Sequence, residues 1–531
     1  MKDQASIKVS PKKKTATFAR SRRGVGTLLL VCLLVMMTSG VTLEAAGPVV
    51  TPSEPVLLGV SVRELGAKGD GVTDDTDAIE AAVAAARKQN GVVFFPPGEY
   101  LVSRTIYLHS RMTVTGAQGA ILKKIPAITQ KFTKPVNEGD TVVYVDDASA
   151  YQVNQDFYLF DGRGSGASGT VGRIVAIDPA ENKITFTVYG YEGAMKAYEV
   201  TDRSVFSNTF PILATNAQVE AVDGLVIEGM TFDCQRQPDE PNSYTLSAIQ
   251  MDAHTGGGGD QRNMVIRNNT ILNSAADGIS VQIRENVTIE NNRVYNCAVF
   301  GIHVGTTINK MTIRNNYVEN CGSAALFWCY FINEIIVTNN VFKDNQAGCT
   351  GIDGAGANSV IAFNTFDGTK TVGINMNGNG GGRTVITGNH FMNGQGTDIS
   401  VVGSSYCAIS NNIFSNGKDM AISQRTSERM TILSNQFNNY TGDYVIRFWK
   451  GKKTKFTRDF AKLSRVSGNM VVGGKVAAIS MEDSQQIILS ENLVVPLEGG
   501  KAIEIADSCS KILVKNNIAE GEVVNLATTA R

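Results

Sequence analysis

The chain has 531 residues, 43% of them hydrophobic and 19% charged, the proportions of a folded, soluble protein. Its formal charge of −1 hides an asymmetry: residues 1–46 carry eight Lys/Arg and two acids, and the remainder carries 41 Lys/Arg against 48 Asp/Glu. A body that acidic argues against nucleic acid as the main partner.

The first 46 residues read as an export signal. A basic region (Lys12, Lys13, Lys14, Arg20, Arg22, Arg23) precedes an apolar run from Val25 to Met37, and Ala45, Ala46 and Gly47 offer a cleavage zone. The run is short for a spanning helix. The expectation is a secreted, extracellular protein, held at the cell surface only if the leader stays uncleaved. Eight cysteines make no disulfide framework in a chain this long. Cys297 and Cys321 fall at one position of adjacent repeats and predict a buried stack, with a disulfide between them as the alternative.

Residues 47–130 read as an N-terminal module. A strand over 60–65 leads into a tight turn over 66–71. Thr73 or Asp74 then caps a helix that runs to about Lys88. Ile79, Ala82, Val83 and Ala86 form its apolar stripe, and Asp74, Asp75 and Asp77 suit its first turn. Asp70, Asp74 and Asp75 do not fit a calcium loop, so they read as capping groups. Val92 to Phe95, a Pro96-Pro97-Gly98 turn and Tyr100 to Val102 follow. A helix laid over the open end of a solenoid hides its first edge. The run Val-Arg-Glu-Leu-Gly-Ala-Lys-Gly-Asp-Gly-Val-Thr-Asp-Asp-Thr-Asp-Ala-Ile over 62–79, followed by Val93-Phe94-Phe95-Pro96-Pro97-Gly98-Glu99-Tyr100, resembles the N-terminal signature of the pectate-lyase-like superfamily. Rhamnogalacturonase- and epimerase-related β-helix proteins and many phage tailspike depolymerases share it. The resemblance implies a fold. It does not imply a reaction, because that scaffold hosts lyases, hydrolases, epimerases and pure binding proteins.

Residues 131–205 break the pattern. Segments 141–145, 157–160, 173–177 and 183–188 predict antiparallel strands in a small all-β insert. Two roles suit it equally, a carbohydrate-binding module or a wall beside a substrate groove.

Residues 206–531 carry the dominant signal. An Asn followed two residues later by an apolar residue recurs at Asn269, Asn292, Asn316, Asn340, Asn364, Asn389, Asn412, Asn435, Asn469, Asn492 and Asn517. The steps are 23, 24, 24, 24, 25, 23, 23, 34, 23 and 25 residues. A fixed period of this size with short β-branched strands is a solenoid signature. Each unit has room for strand and turn only, and an Asn at one turn position suits a stacked amide ladder. The fold class is all-β: a right-handed parallel β-helix with an N-terminal capping helix and a small all-β insert.

Alignment on the ladder places Ile249, Ile279, Ile302, Leu326, Ile352, Ile374, Ile399, Ile422 and Ile446 inward on a second strand. The next residues point out: Gln250, Ser280, His303, Phe327, Asp353, Asn375, Ser400, Ser423 and Arg447. Asp252, Gln282, Cys329, Arg425 and Trp449 lie two further on. Only four histidines exist in the chain, and His254 and His303 both fall here. Histidine abstracts a proton near neutral pH. The catalytic candidates are His303, Asp252, His254, Asp353 and Asp277, the last also suited to a turn. Asp252-Ala253-His254 resembles the Asp-Pro-His element of alginate epimerases, with Ala in place of Pro, and a Gly256 to Gly259 loop follows it. Arg284, Gln282, Phe327, Asn375, Arg425, Arg447 and Trp449 are the candidates for substrate contact. Around Trp449 gather Lys450, Lys452, Lys453, Lys455, Arg458, Lys462 and Arg465, a set able to grip an anionic polymer or to form a solvated loop.

Elimination needs a base for the proton α to a uronate carboxyl and a cation for the enolate. His303 or His254 suits the first role, Arg284 or Arg262 the second. Hydrolysis needs two carboxylates flanking the bond, from among Asp252, Asp277 and Asp353. The polygalacturonase-like blocks and the calcium-pectate-lyase pattern are absent. No cofactor is expected, with calcium left open as an alternative that no motif implies. The sequence reading is an exported enzyme cleaving a polysaccharide, an acidic one before a neutral one, by β-elimination. The alternatives are a glycoside hydrolase, a uronate epimerase and a non-catalytic glycan-binding surface protein.

Overall fold

The computed structural model describes residues 59–89, 91–163, 169–188, 193–215, 220–243, 245–251, 261–282, 285–305, 309–329, 332–351, 358–377, 382–451 and 459–527. The leader lies outside them, as do Asp252, His254, Arg284 and Asp353. Among the described residues no helix is long and apolar enough to cross a membrane.

Each coil contributes one short strand to each of three parallel sheets. The first sheet has 15 strands, from Val60–Ser61 to Leu513–Lys515. The second has 15, from Asp70–Asp74 to Ile518–Ala519, and the third has 14, from Ile106–Leu108 to Glu522–Asn525. The chain turns from the first sheet to the second through a residue in the left-handed region, for example Asn268, Asn291, Asn315 and Asn339, each at φ 57°. Asparagine tolerates that conformation better than other side-chain-bearing residues, which explains the Asn-Asn pairs of the repeat.

The second asparagine of each pair builds the ladder. Asn364 Nδ2 donates to Asn389 Oδ1 at 3.0 Å and to the Val337 carbonyl at 2.9 Å. Asn364 Oδ1 in turn accepts the backbone N–H and the Nδ2 of Asn340, both at 2.9 Å. The same pattern runs unbroken from Asn269–Asn292 to Asn492–Asn517. It holds across the 34-residue step, where Asn435 Nδ2 meets Asn469 Oδ1 at 3.0 Å. The ladder fixes the register of every coil, and like residues therefore stack. Phe342, Phe366, Phe391, Phe414 and Phe437 form a column with ring centroids 5.2, 4.7, 4.7 and 4.6 Å apart. Cys297 and Cys321 are both buried, free thiols, so no disulfide joins them.

The cap helix spans Thr76–Lys88 and buries Ile79, Ala82, Val83 and Ala86 against the end of the core. Its start corrects the expected cap. Asp74 and Asp75 precede the helix, and Asp77 alone lies in its first turn. Asp75 ties down the preceding turn by accepting the N–H groups of Lys68 and Gly69 at 2.6 and 2.9 Å. Asp74 accepts the N–H of Thr76 at 3.0 Å and the hydroxyl of Ser103 at 2.6 Å.

A six-stranded antiparallel sheet, from Thr129–Gln130 to Val205–Ser207, interrupts the coils. It has its own core, which includes Phe132, Phe157, Ile174, Phe186 and Phe206. Its Tyr158 packs against Leu246 and Ala276 of the coils.

One inward position is corrected. Leu326 pairs with Cys349, and Cys349 with Ile374, so Cys349 holds the place expected for Ile352. The outward residue of that coil is accordingly Thr350, between Phe327 and Asn375, and not Asp353.

Replacing Asn364 by Ala takes the side-chain partner from the Val337 carbonyl and the buried Asn340 N–H, and removes one hydrogen bond from each of the Asn340 and Asn389 amides. The expected loss is about 2–3 kcal/mol of unfolding free energy, measured by urea denaturation against the wild type.

Candidate active site

The outer face of the third sheet presents, coil after coil, Gln250, Ser280, His303, Phe327, Thr350, Asn375, Ser400, Ser423 and Arg447. His303 is the centre of one cluster. Its Nδ1 lies 2.8 Å from Asp277 Oδ2, and its Nε2 lies 3.5 Å from the Cys329 thiol. Phe300 and Phe327 stack on each other at 4.2 Å, and the imidazole meets both edge-on at 5.2 and 5.1 Å. His303 is 4% exposed and Asp277 is fully buried. Asp277 also accepts the backbone N–H of Phe300 at 3.1 Å. Its turn role and its contact with His303 are thus one arrangement: the carboxylate fixes the loop and orients the ring.

This geometry sets the charge of the ring. Burial alone would lower the histidine below its ordinary 6.5, but the Asp277 carboxylate, as a charge and as a hydrogen-bond acceptor, outweighs burial and raises it to about 9. The imidazole is therefore protonated at neutral pH. It donates there, and takes a proton only in more alkaline solution. A ring so charged suits donation at neutral pH, where a neutral base was expected at His303. Asp277, enclosed under the ring, is no candidate for one of two carboxylates flanking a bond in solvent.

Other predicted residues fall into place around this centre. The Gln282 side chain lies across Gly305, where an added Cβ would sit 1.5 Å from Gln282 Oε1. Asn375 is half-buried between Thr350 and Ser400. Arg425, Arg447 and Trp449 form a separate cluster six strands along, about 29 Å from His303 by strand spacing. Phe300 and Cys329 were missed as partners of His303. A signal for Phe300 existed: Asp277 and Phe300 both stand two residues before the inward Ile of their strands, in the column that continues to Ala324.

Comparison with known proteins follows the same lines. Residues 59–158 match the family described as "Rhamnogalacturonase A/epimerase, pectate lyase-like". Residues 258–386 and 372–529 match the right handed beta helix region. The chain belongs to the pectate-lyase-like, right-handed parallel β-helix superfamily. Among superfamily relatives, the preneck appendage protein of Bacillus phage PZA is 35% identical over 122 residues, 22% of this chain and 13% of that protein. Alginate lyase 7 of Azotobacter vinelandii is 61% identical over 44 residues, 8% of this chain and 5% of the lyase. The chain thus spans only a small part of the curated relatives it matches. Among solved structures, the catalytic unit of a GH87 alpha-1,3-glucanase from Streptomyces thermodiastaticus aligns with a TM-score of 0.46 at 14% identity, over 87% of this chain and 69% of that one. The A-module of the Azotobacter vinelandii mannuronan C-5 epimerase AlgE4 aligns with a TM-score of 0.44 at 14% identity, over 88% and 100%.

The Asp277–His303 pair makes a measurable claim. The raised value of His303 means that the pair stabilises the fold fully below about pH 6.5 and loses that contribution as pH rises through about 9. Asp277→Asn removes the raising charge and leaves burial, so the His303 ring signal in an NMR titration moves from about 9 to below 6.5. The variant loses about 3 kcal/mol of stability in mildly acidic solution.

Proposed function

We propose that this protein is an exported carbohydrate-active enzyme that cleaves an acidic polysaccharide by β-elimination along the outer face of its third sheet. The carrying observation is the Asp277–His303 pair on a face that shows no paired acids among the described residues. Among the described residues, the outward positions from Gln250 to Ser423 hold no carboxylate, whereas hydrolysis needs two. An imidazolium suits elimination in two ways: it stabilises negative charge on the enolate, or it protonates the departing glycosidic oxygen. The base then comes from another group, and His254 is the sequence candidate. The Phe300–Phe327 stack supplies an aromatic shelf at the same place. The insert, packed through Tyr158 against Ala276 next to Asp277, is read as the wall of the groove. The names of relatives support a polysaccharide substrate, since they include an alginate lyase, a mannuronan epimerase and a probable glucan endo-1,3-beta-glucosidase.

A second reading is a glycan-binding surface protein without turnover. The 4% exposure of His303 favours it, because a catalytic ring must reach its substrate.

Purified protein incubated with pectins, alginates, glycosaminoglycans and neutral glucans separates these readings. Unsaturated-uronate absorbance and reducing ends rising together support elimination. Reducing ends alone sink it. Silence in both signals, with glycan binding retained, leaves the second reading.

Where elimination is seen, its rate falls as pH rises through about 9, because His303 then loses its proton. His303→Gln lowers turnover about 100-fold or more and flattens that limb of the pH profile.

A further inference from the structure

The outer face of the third sheet carries a second cluster of unusual chemistry. Ser423 stands opposite Arg447, and Arg425 opposite Trp449, on the neighbouring strands Ile422–Arg425 and Tyr444–Trp449. The Trp449 indole N–H donates to Ser423 Oγ at 3.0 Å, which fixes the ring. The Arg425 guanidinium carbon lies 5.8 Å from the centre of that ring, and that of Arg447 lies 4.7 Å from it. Arg447 also sits 4.3 Å from the Tyr444 ring.

The charges around the ring do not balance. Arg447 donates to Glu482 at 2.7 Å, which neutralises one of the two cations. The Nε of Arg425 and the Nε of Arg447 are both buried without a hydrogen-bond partner. A buried, unmet donor on a cation costs stability unless something satisfies it. Both residues are half-buried, so an incoming oxyanion meets the outer N–H groups of the guanidinium planes, which take carboxylates and sulfates through paired donors. The aromatic rings hold both guanidinium planes in place, so little order has to be imposed when the anion arrives.

We propose that Arg425, Arg447 and Trp449 form a subsite for the charged group of an acidic sugar, a carboxylate or a sulfate ester, on a polysaccharide strand lying along this face. The proposal rests on the polysaccharide reading above for the nature of the strand, and on this cluster for its charge. Between Phe327, beside His303, and the subsite stand Thr350, Asn375, Ser400 and Ser423, short polar side chains along a lane of about 29 Å from His303 to Arg447. A single strand spanning that lane touches both clusters.

The test measures binding by calorimetry at several salt concentrations. The probes are an oligogalacturonate, its carboxyl-reduced neutral counterpart and a sulfated galactan oligosaccharide. Wild type, R425Q and R425K are compared, with thermal melts to verify that the variants are folded. The expected result is preference for an acidic probe over the neutral one. R425Q weakens the acidic probe about tenfold or more and flattens its salt dependence, leaves the neutral probe unchanged, and R425K recovers only part of the loss. A better fit to the galacturonate assigns a carboxylate, and a better fit to the sulfated probe assigns a sulfate ester. Equal binding of acidic and neutral probes, no binding of any acidic probe, or an R425Q protein that binds as the wild type does overturns the subsite. Acidic probes bound with that pattern but never cleaved would sink the cleavage reading and leave the subsite standing.

Discussion

The hydrogen-bonding demand of the buried backbone at the turns governs this molecule. A solenoid coil bends three times, and each bend takes peptide groups out of the sheet ladders while keeping them away from water. An unmet group there is costly. The asparagine ladder answers at one bend: from Asn269 to Asn492 each side chain donates to a carbonyl of the preceding coil and to the asparagine of the next. The left-handed residue just before it supplies the change of direction. Because the ladder links each coil to the next at one fixed point, no coil can slip without breaking two or more bonds. Register is thereby set for all three sheets at once.

A fixed register turns sequence into columns. Residues 23 to 25 apart become nearest neighbours, and a column of equal residues packs as the phenylalanines do. The outer face of the third sheet follows from the same rule. His303 reaches Asp277 and Cys329, each 26 residues away in sequence, only because adjacent coils bring their strands side by side. The 34-residue step shows how variation is accommodated. The ladder bond from Asn435 to Asn469 keeps its length, and the extra residues fall in sequence between the strand that ends at Trp449 and the one that begins at Ala461.

The ladder and the inward isoleucines were legible because a backbone requirement repeats there and tolerates few residue types. The error at Ile352 has the same logic. Cys349 fills the inward position, and Gly351 gives room to the buried Trp328, which lies so close that a Cβ at Gly351 would sit 1.7 Å from the indole nitrogen. A small inward residue beside a glycine looks weak next to an isoleucine three positions on, and periodicity alone selects the wrong one. The helix start failed for a different reason. Three aspartates in a row of turn residues offer several equivalent caps, and only the fold shows that Asp75 spends its carboxylate on Lys68 and Gly69. The proton state of His303 was beyond the sequence altogether, because it depends on a carboxylate from another coil and on the burial of both groups.

That proton state gives the outer face its electrostatic character. The body of the chain is acidic, yet this face holds an imidazolium at His303 and guanidinium groups at Arg425 and Arg447, set apart by short polar residues. Two of these cations are anchored by an acid from another coil, Asp277 for His303 and Glu482 for Arg447, and Arg425 has no ion-pair partner among the described residues. An ordinary surface ion-pair lattice would pair each charge with an exposed partner and leave nothing to recognise. Here the acids are spent on holding the cations in position, Asp277 from beneath the ring and Glu482 from beside the guanidinium, so that donor capacity is left over on the arginines. On the polysaccharide reading proposed above, a strand lying along this face meets positive charge at two places, about 29 Å apart by the strand spacing of the solenoid.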